Sequence, residues 1–213
     1  MQRRRLILAT GLALAAPAPA VWAWDDKGDP FAFVVDVSNE ILDEIRRDPA
    51  LAHGDPEHVR QLVDGKILPV TDFTLMTRLT VGPDWRKASA EERQRLEQGF
   101  RGLLIRVYSG ALLQVKDQRC ELRPTRVKTV KDEMVIRTLL KASGQKDLGL
   151  DYRIYRAKDG AWKIVDVNVE GIWLVENYRS QFASVLSSEG VPGLIKMLET
   201  RADELAAKNK AKS

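Results

Sequence analysis

The sequence predicts an α+β domain in which helices come first, a twisted antiparallel sheet of about four to five strands second, and two helices last. Three observations carry this. Apolar residues keep helical spacing from Pro30 to Val115. From Arg119 to Glu170 the pattern alternates instead, in short runs broken by turn residues. From Leu174 the helical spacing returns, with Leu174, Tyr178, Phe182, Val185 and Leu186 on one face. The pivot is Trp162 to Phe182, where a strand exits through Gly171 into a helix. The 213 residues show no repeat, low-complexity segment or linker, so residues 24–213 read as a single domain.

Each element has its own signal. Pro30 opens a helix to Arg47 with Phe31, Val34, Val35, Ser38, Ile41, Leu42 and Ile45 on one broad face, and Asp48-Pro49 ends it. Asp55-Pro56 supplies the cap and first position of a second helix, carrying Val59, Leu62, Val63 and Ile67 and stopping near Leu68 before Pro69. A short third helix is expected from Asp72 to Leu79, closed by Val81-Gly82-Pro83. Ser89-Ala90-Glu91-Glu92 is a capping box. The helix after it bears an apolar face from Leu96 to Val115. Four strands are then expected: Arg119 to Arg123, Met134 to Lys141, Leu150 to Tyr155, and Ala161 to Glu170 after the Lys158-Asp159-Gly160 turn. Joined by short turns, they suggest a meander with helices over one face. In the last strand Val165, Val167 and Val169 should form one row, and Trp162, Ile164, Asp166 and Asn168 the other. Gly190 and Pro192-Gly193 separate the two final helices, and residues 208–213 are expected to fray.

Residues 1–23 stand apart. Arg3, Arg4 and Arg5 precede an apolar run from Leu6 to Ala16, then Pro17, Pro19 and small residues. That is the architecture of a secretory signal peptide cut after Ala23, or after Ala20 as second choice. The run is too short for a membrane span, which needs about 20 residues. Arg3 to Ile7 also fits a twin-arginine signal loosely, so Sec export is expected with Tat as the alternative. The chain has 34 Lys+Arg and 30 Asp+Glu. Removing the three leader arginines leaves 31 basic against 30 acidic residues, a net of +1. The basic character therefore belongs to the leader and gives no ground for nucleic-acid binding. Cys120 is the only cysteine, so no internal disulfide and no lipid anchor on a cysteine after the leader is expected. It reads as a small buried apolar residue.

Motifs for chemistry are missing. The sequence contains no CxxC, HExxH, GxGxxG after a strand, GxxxxGK[ST] or GxSxG. His53 and His58 lie five apart and do not stack on a helix. No catalytic residue, metal ligand or cofactor site is assigned. Asp166 is the one carboxylate to weigh: a general base if it opens to a pocket, otherwise a structural acid bonded to backbone or arginine. Arg119, Arg123, Arg126, Lys128 and Lys131, with Arg137, Arg153 and Arg156 on neighbouring strands, read either as a solvated sheet surface or as a site for acidic head groups or partners.

Several stretches carry a resemblance. Val81 to Ser89 (VGPDWRKAS) is similar to a G-x-W-x-x-(A/S) segment, and Phe100 to Tyr108 to an F-x-x-L-(L/I)-x-x-x-Y helix. Gly160 to Val167 resembles G-x-W-K-(I/V)-x-D-V, and Val169-Glu170-Gly171 resembles (V/I)-E-G. Asn177-Tyr178-Arg179-Ser180-Gln181-Phe182 matches N-Y-R-x-Q-F. Together these resemble the MlaC/toluene-tolerance family of periplasmic phospholipid-binding proteins, over nearly all of the exported chain. Trp173 departs from the serine usual before the leucine.

The resemblance implies a cone-like (NTF2-like) fold whose helices and sheet enclose a deep apolar cavity for phospholipid acyl tails, with the head group outside. It implies a soluble, monomeric periplasmic carrier rather than an enzyme. It also implies partners: the MCE-domain subunit of an inner-membrane ABC transporter and an outer-membrane lipoprotein complex. Under it, cavity walls are expected from Leu79, Trp85, Phe100, Leu103, Leu104, Val107 and Tyr108 on the helical side. From the sheet and the corner they are expected from Tyr152, Val165, Val167, Val169, Ile172, Leu174 and Tyr178. The alternatives are a carrier of hopanoid or another lipid, an enzyme using Asp166, or an adaptor that binds only proteins.

Overall fold

A computed structural model describes residues 24–124 and 129–210, with residues 201–210 as backbone only. The expected signal peptide, the cations Arg126 and Lys128, and residues 211–213 lie outside the described residues. Helix α1 (Pro30–Arg47) starts where expected: the Asp29 carboxylate accepts from the Phe31 N–H at 3.2 Å, and Pro30 takes the first position. Its buried face (Phe33, Val34, Val37) lies against Ile136, Tyr152, Ile154, Trp162 and Ile164 of the sheet. Each such side chain, fully buried, contributes about 1.5–3 kcal/mol.

After α2 (Pro49–Ala52), α3 runs only from Pro56 to Leu62, capped by Asp55. The expected continuation to Leu68 is not α-helical. Val63–Ile67 is a π turn and Leu68–Val70 a 3-10 turn. Pro69 bars an α-helix from running on through its own position, where its ring would clash with the Gly65 carbonyl, but the change of geometry already sets in at Val63. Helix α4 (Phe73–Val81) is capped by Asp72, whose carboxylate accepts from the Leu75 N–H at 2.8 Å. Helix α5 (Ala90–Leu112) carries the full capping box: Ser89 Oγ accepts from Glu92 N at 3.1 Å, and the Glu92 carboxylate accepts from Ser89 N at 2.8 Å.

The sheet is an antiparallel meander in the order β1 (Arg119–Leu122), β2 (Glu133–Lys141), β3 (Leu148–Arg156), β4 (Trp162–Val169), β5 (Ile172–Trp173). On the outer edge of β1, the Asn39 side chain donates to Cys120 O and accepts from Cys120 N, at 3.0 and 2.9 Å, as a neighbouring strand would. Strand β5, beyond the four located in the sequence, completes a sheet of the expected four to five strands. It comes after β4 through the two-residue turn Glu170-Gly171, with φ of 50° and 92°. Two positive φ values in a two-residue hairpin are the type I′ signature. A left-handed glutamate costs about 1–2 kcal/mol, and its carboxylate is compensated by the Gly149 N–H.

One irregularity changes which residues face inward. Arg153 pairs with Asp166 but Ile154 pairs with Ile164, so Val165 is an extra residue in β4. A one-residue offset turns the residues beyond it to the other face. Trp162 and Ile164 lie on the α1 side, and beyond the bulge Val167 packs there with them. Asp166 sits instead opposite Arg153, with Asn168 opposite Asp151. This corrects both expected rows: the three valines do not share a face, nor does Asp166 share one with Trp162 and Ile164.

Helix α6 (Leu174–Lys210) is broken at Gly190, φ 65° and ψ −163°, with Pro192 just beyond. That is where two helices were expected to meet. Its first half packs with α4 and α5 around Phe100, whose ring lies 5.7 Å from Phe73, 5.2 Å from Tyr178 and 5.7 Å from Phe182. Beyond the break, Leu194, Ile195 and Leu198 complete this hub.

Candidate functional site: an apolar cavity beside a polar groove

The apolar interior forms three clusters. One joins α1 to the sheet, one joins α4, α5 and α6, and a small one (Ile45, Leu51, Val59, Leu62) sits under α2 and α3. Where the three approach one another, packing is incomplete and leaves a cavity of about 180 Å³. Its walls are Ile41 of α1, Val59 and Leu62 of α3, and Val63, Ile67 and Leu68 of the turns after α3. Phe73 of α4, Leu104, Ile105, Tyr108 and Leu112 of α5, and Leu174 at the start of α6 complete them. Arg101 and Ser109 are its only lining residues with charged or hydroxyl side chains besides Tyr108. With no cluster of donors and acceptors inside, such a space suits hydrocarbon.

Leu68, Phe73 and Arg101 also line a second, polar groove of about 540 Å³. That groove adds Thr71, Asp72, Thr74, Gln94, Glu97, Gln98, Tyr155, Ala157 and Lys163. The Tyr155 hydroxyl donates to Asp72 at 2.5 Å, and this bond, with burial, pushes its pKa up to about 12. Arg101 is ion-paired with Asp64 of the π turn at 3.1 Å.

Of the residues expected to wall a cavity, Leu104, Tyr108 and Leu174 do so. Trp85, Phe100, Leu103 and Tyr178 are buried in the α4–α5–α6 core, with Leu79 packed on it. Tyr152 and Val167 belong to the α1–sheet core, Val165 is buried at the bulge, and Val169 is half-buried. Val107 and Ile172 face solvent, 47% and 59% exposed. The lining residues Ile41, Val59, Leu62, Val63, Ile67 and Leu112 were legible as apolar helix positions. No periodicity separates a cavity wall from a packed core.

Asp166 is closed to any ligand. Its side chain is 0% exposed, and its oxygens accept from Val167 N at 2.9 Å, Val175 N at 3.0 Å and the Arg153 guanidinium at 3.1 Å. Burial raises its pKa, opposed by the bonds from Val175, Arg153 and Val167. Because Val175 is the second residue of α6, Asp166 caps that helix from the neighbouring strand. The Arg153 guanidinium, 4.5 Å from the Trp173 ring centroid, is covered in turn by that aromatic face. Trp173, the departure from the family pattern, therefore supports the corner from the sheet's outer side. Cys120 is buried, and burial raises its thiol pKa. Among the described residues, no cluster of three or more His, Cys, Asp or Glu could hold a metal ion, and no helix is long and apolar enough to cross a membrane.

Comparison with known proteins agrees with this architecture. A phospholipid-binding protein from Ralstonia solanacearum, solved in complex with a phospholipid, superposes with a TM-score of 0.79 at 38% identity, over 84% of this chain and 99% of that one. The intermembrane phospholipid transport system binding protein MlaC of Haemophilus influenzae is 20% identical over 177 residues, 82% of this chain and 83% of that protein. The toluene tolerance protein ttg2D of Pseudomonas putida is 24% identical over 189 residues, 85% of this chain and 84% of that protein. Residues 35–200 match the MlaC protein family, well over half of the 213 residues, and the chain belongs to that family.

Proposed function

We propose that this protein is a periplasmic phospholipid carrier that holds acyl tails in the apolar cavity between α1, α3, α5 and the start of α6. The observation that carries the reading is the cavity itself: an apolar-walled space, opening beside a polar groove, in a fold shared with a protein solved with a phospholipid bound. Exposing tails to water costs about 0.8 kcal/mol per CH2, so some thirty methylenes cost roughly 24 kcal/mol. A phospholipid cannot cross an aqueous compartment alone at that cost. A carrier need only match the bilayer's apolar environment, which leaves loading and unloading near balance. Delivery between an outer-membrane lipoprotein complex and the MCE-domain subunit of an inner-membrane ABC transporter completes the proposed role, with residues 1–23 directing export.

The cavity of about 180 Å³ is smaller than the roughly 300–1,000 Å³ typical of ligand pockets. In this closed form it accommodates part of one tail, and loading requires its walls to part. Native mass spectrometry and solvent extraction of the purified protein test the proposal. Phospholipid should co-purify, and Leu104→Trp, which fills the space from α5, should leave a folded protein with most of its lipid lost. Wild-type protein that carries no phospholipid, and takes none up from vesicles after delipidation, would refute the carrier role.

A further inference from the structure

The polar groove beside the cavity carries a specific arrangement of charge. It shares Leu68, Phe73 and Arg101 with the apolar space, so a molecule with its tail in the cavity would present its polar end at the groove. Two cations, Arg101 and Lys163, and two acids, Asp72 and Glu97, line it. Their engagements differ. The Asp72 carboxylate is taken by the Leu75 N–H at 2.8 Å and the Tyr155 hydroxyl at 2.5 Å, so it serves the fold. Glu97 accepts one bond, from Thr74 Oγ1 at 3.2 Å, and keeps acceptor capacity on its second oxygen. Arg101 meets Asp64 at 3.1 Å and Lys163 donates to Pro69 O at 2.6 Å, and both have more donors than these contacts use.

We propose that this groove seats the head group of the carried lipid and favours a zwitterionic phosphate–ammonium head group over an anionic one. This deepens, and rests on, the carrier reading of the cavity. The phosphate meets Arg101 at the shared wall and Lys163 in the groove. The ammonium meets Glu97, one helical turn before Arg101 on α5. A head group that carries phosphate without ammonium gains the same cations but leaves Glu97 facing a neutral or negative group. Because the groove is open, discrimination should be about two- to fivefold, the scale of one exposed ion pair.

The test equilibrates delipidated full-length mature protein with vesicles of equal phosphatidylethanolamine and phosphatidylglycerol, then extracts and quantifies bound lipid by head group. Wild type should be enriched in phosphatidylethanolamine. Glu97→Gln keeps an acceptor for Thr74 and should shift the ratio toward phosphatidylglycerol about two- to fivefold at unchanged total loading. Glu91→Gln, on the exposed first turn of the same helix, should match wild type. Millimolar inorganic phosphate should leave the wild-type ratio unchanged. Selectivity erased by phosphate would mark the groove as a site for free phosphate and overturn the head-group assignment. An unaltered ratio in Glu97→Gln at normal loading would overturn it while leaving the carrier role standing. Failure of wild type to take up either lipid would overturn the carrier reading and this inference with it.

Discussion

Asp166 offers the most direct test of how the strand–helix corner is held. Its carboxylate caps α6 through Val175 N at 3.0 Å, bonds Val167 N at 2.9 Å, and meets the half-exposed Arg153 at 3.1 Å. Asp166→Ala removes all three contacts. The buried Val175 N–H left without an acceptor costs about 1–3 kcal/mol, and the more accessible Val167 N–H costs less. The Arg153 pair adds little, since that side chain is 43% exposed. The sum is roughly 3 kcal/mol, or about 6–12 °C in Tm for a domain of this size. Asp166→Asn keeps an amide oxygen for the backbone donors and should cost about 1 kcal/mol or less. The sign of the pKa shift supports this ordering. Burial raises the folded pKa above the ordinary carboxylate value of 3.8, so ionising Asp166 is harder in the fold than in the unfolded chain. Its contribution is therefore complete below that ordinary value and declines as pH rises through the folded pKa. The stability advantage of wild type over Asp166→Asn should then be smaller at pH 7 than in acid. Urea unfolding monitored by circular dichroism at several pH values measures these quantities. A loss below about 1 kcal/mol for Asp166→Ala, or an asparagine as costly as the alanine, would refute the capping account.

Packing sets two further outcomes. Gly99 of α5 faces α6 so closely that an added Cβ would lie 2.8 Å from Leu198 Cβ. Gly99→Ala should lower stability by about 1–2 kcal/mol, overpacking outweighing the alanine's better helix propensity, and a rise in Tm by calorimetry would show that the two helices part without cost. Cys120 is 2% exposed and burial raises its thiol pKa, so the native protein should resist iodoacetamide at pH 8 and react fully in urea; rapid native labelling would refute its burial.

Much of the fold was legible because the signals were local. Pro30 and the Ser89–Glu92 box act within one turn of the chain, and both helices start where those residues place them. Gly190 likewise needs only its own backbone angles to break α6. The departures depend on partners distant in sequence. Glu170 adopts φ 50° because the hairpin and Gly149 hold it there, and nothing local announces a left-handed glutamate. The bulge at Val165 exists only as a register with β3, yet it decides which side Asp166 and Val167 face. The cavity is the extreme case. Ile41, Val59, Leu104 and Leu174 come from four helices, and each sits on an apolar face that reads as ordinary core. What makes them a wall is that neighbouring clusters stop short of meeting, which is a property of the assembled packing.

The uneven distribution of contacts identifies which wall can yield. The α4–α5–α6 side of the cavity is backed by the four-ring aromatic group around Phe100, and the α1 side, at Ile41, by the cluster that joins α1 to the sheet. The wall formed by α3 and Val63–Ile67 is backed by the smaller cluster of Ile45, Leu51, Val59 and Leu62 and by the buried Lys66 side chain. Part of its attachment is ionic: Asp64 reaches Arg101 of α5 at 3.1 Å near the surface, and the buried Lys66 reaches Glu40 of α1 at 3.6 Å. An exposed pair such as Asp64–Arg101 contributes about 0–1 kcal/mol and re-forms readily with water or other partners. The turn itself is π-helical, its Leu68 N–H donating to Val63 O, so it departs from the α geometry of α3. Opening this side therefore costs the apolar contacts of Val59, Leu62 and Ile67 together with the Lys66–Glu40 pair. Each methylene of an entering tail returns about 0.8 kcal/mol. Under the proposed carrier role, five or so buried methylenes would return about 4 kcal/mol against the cost of separating this wall.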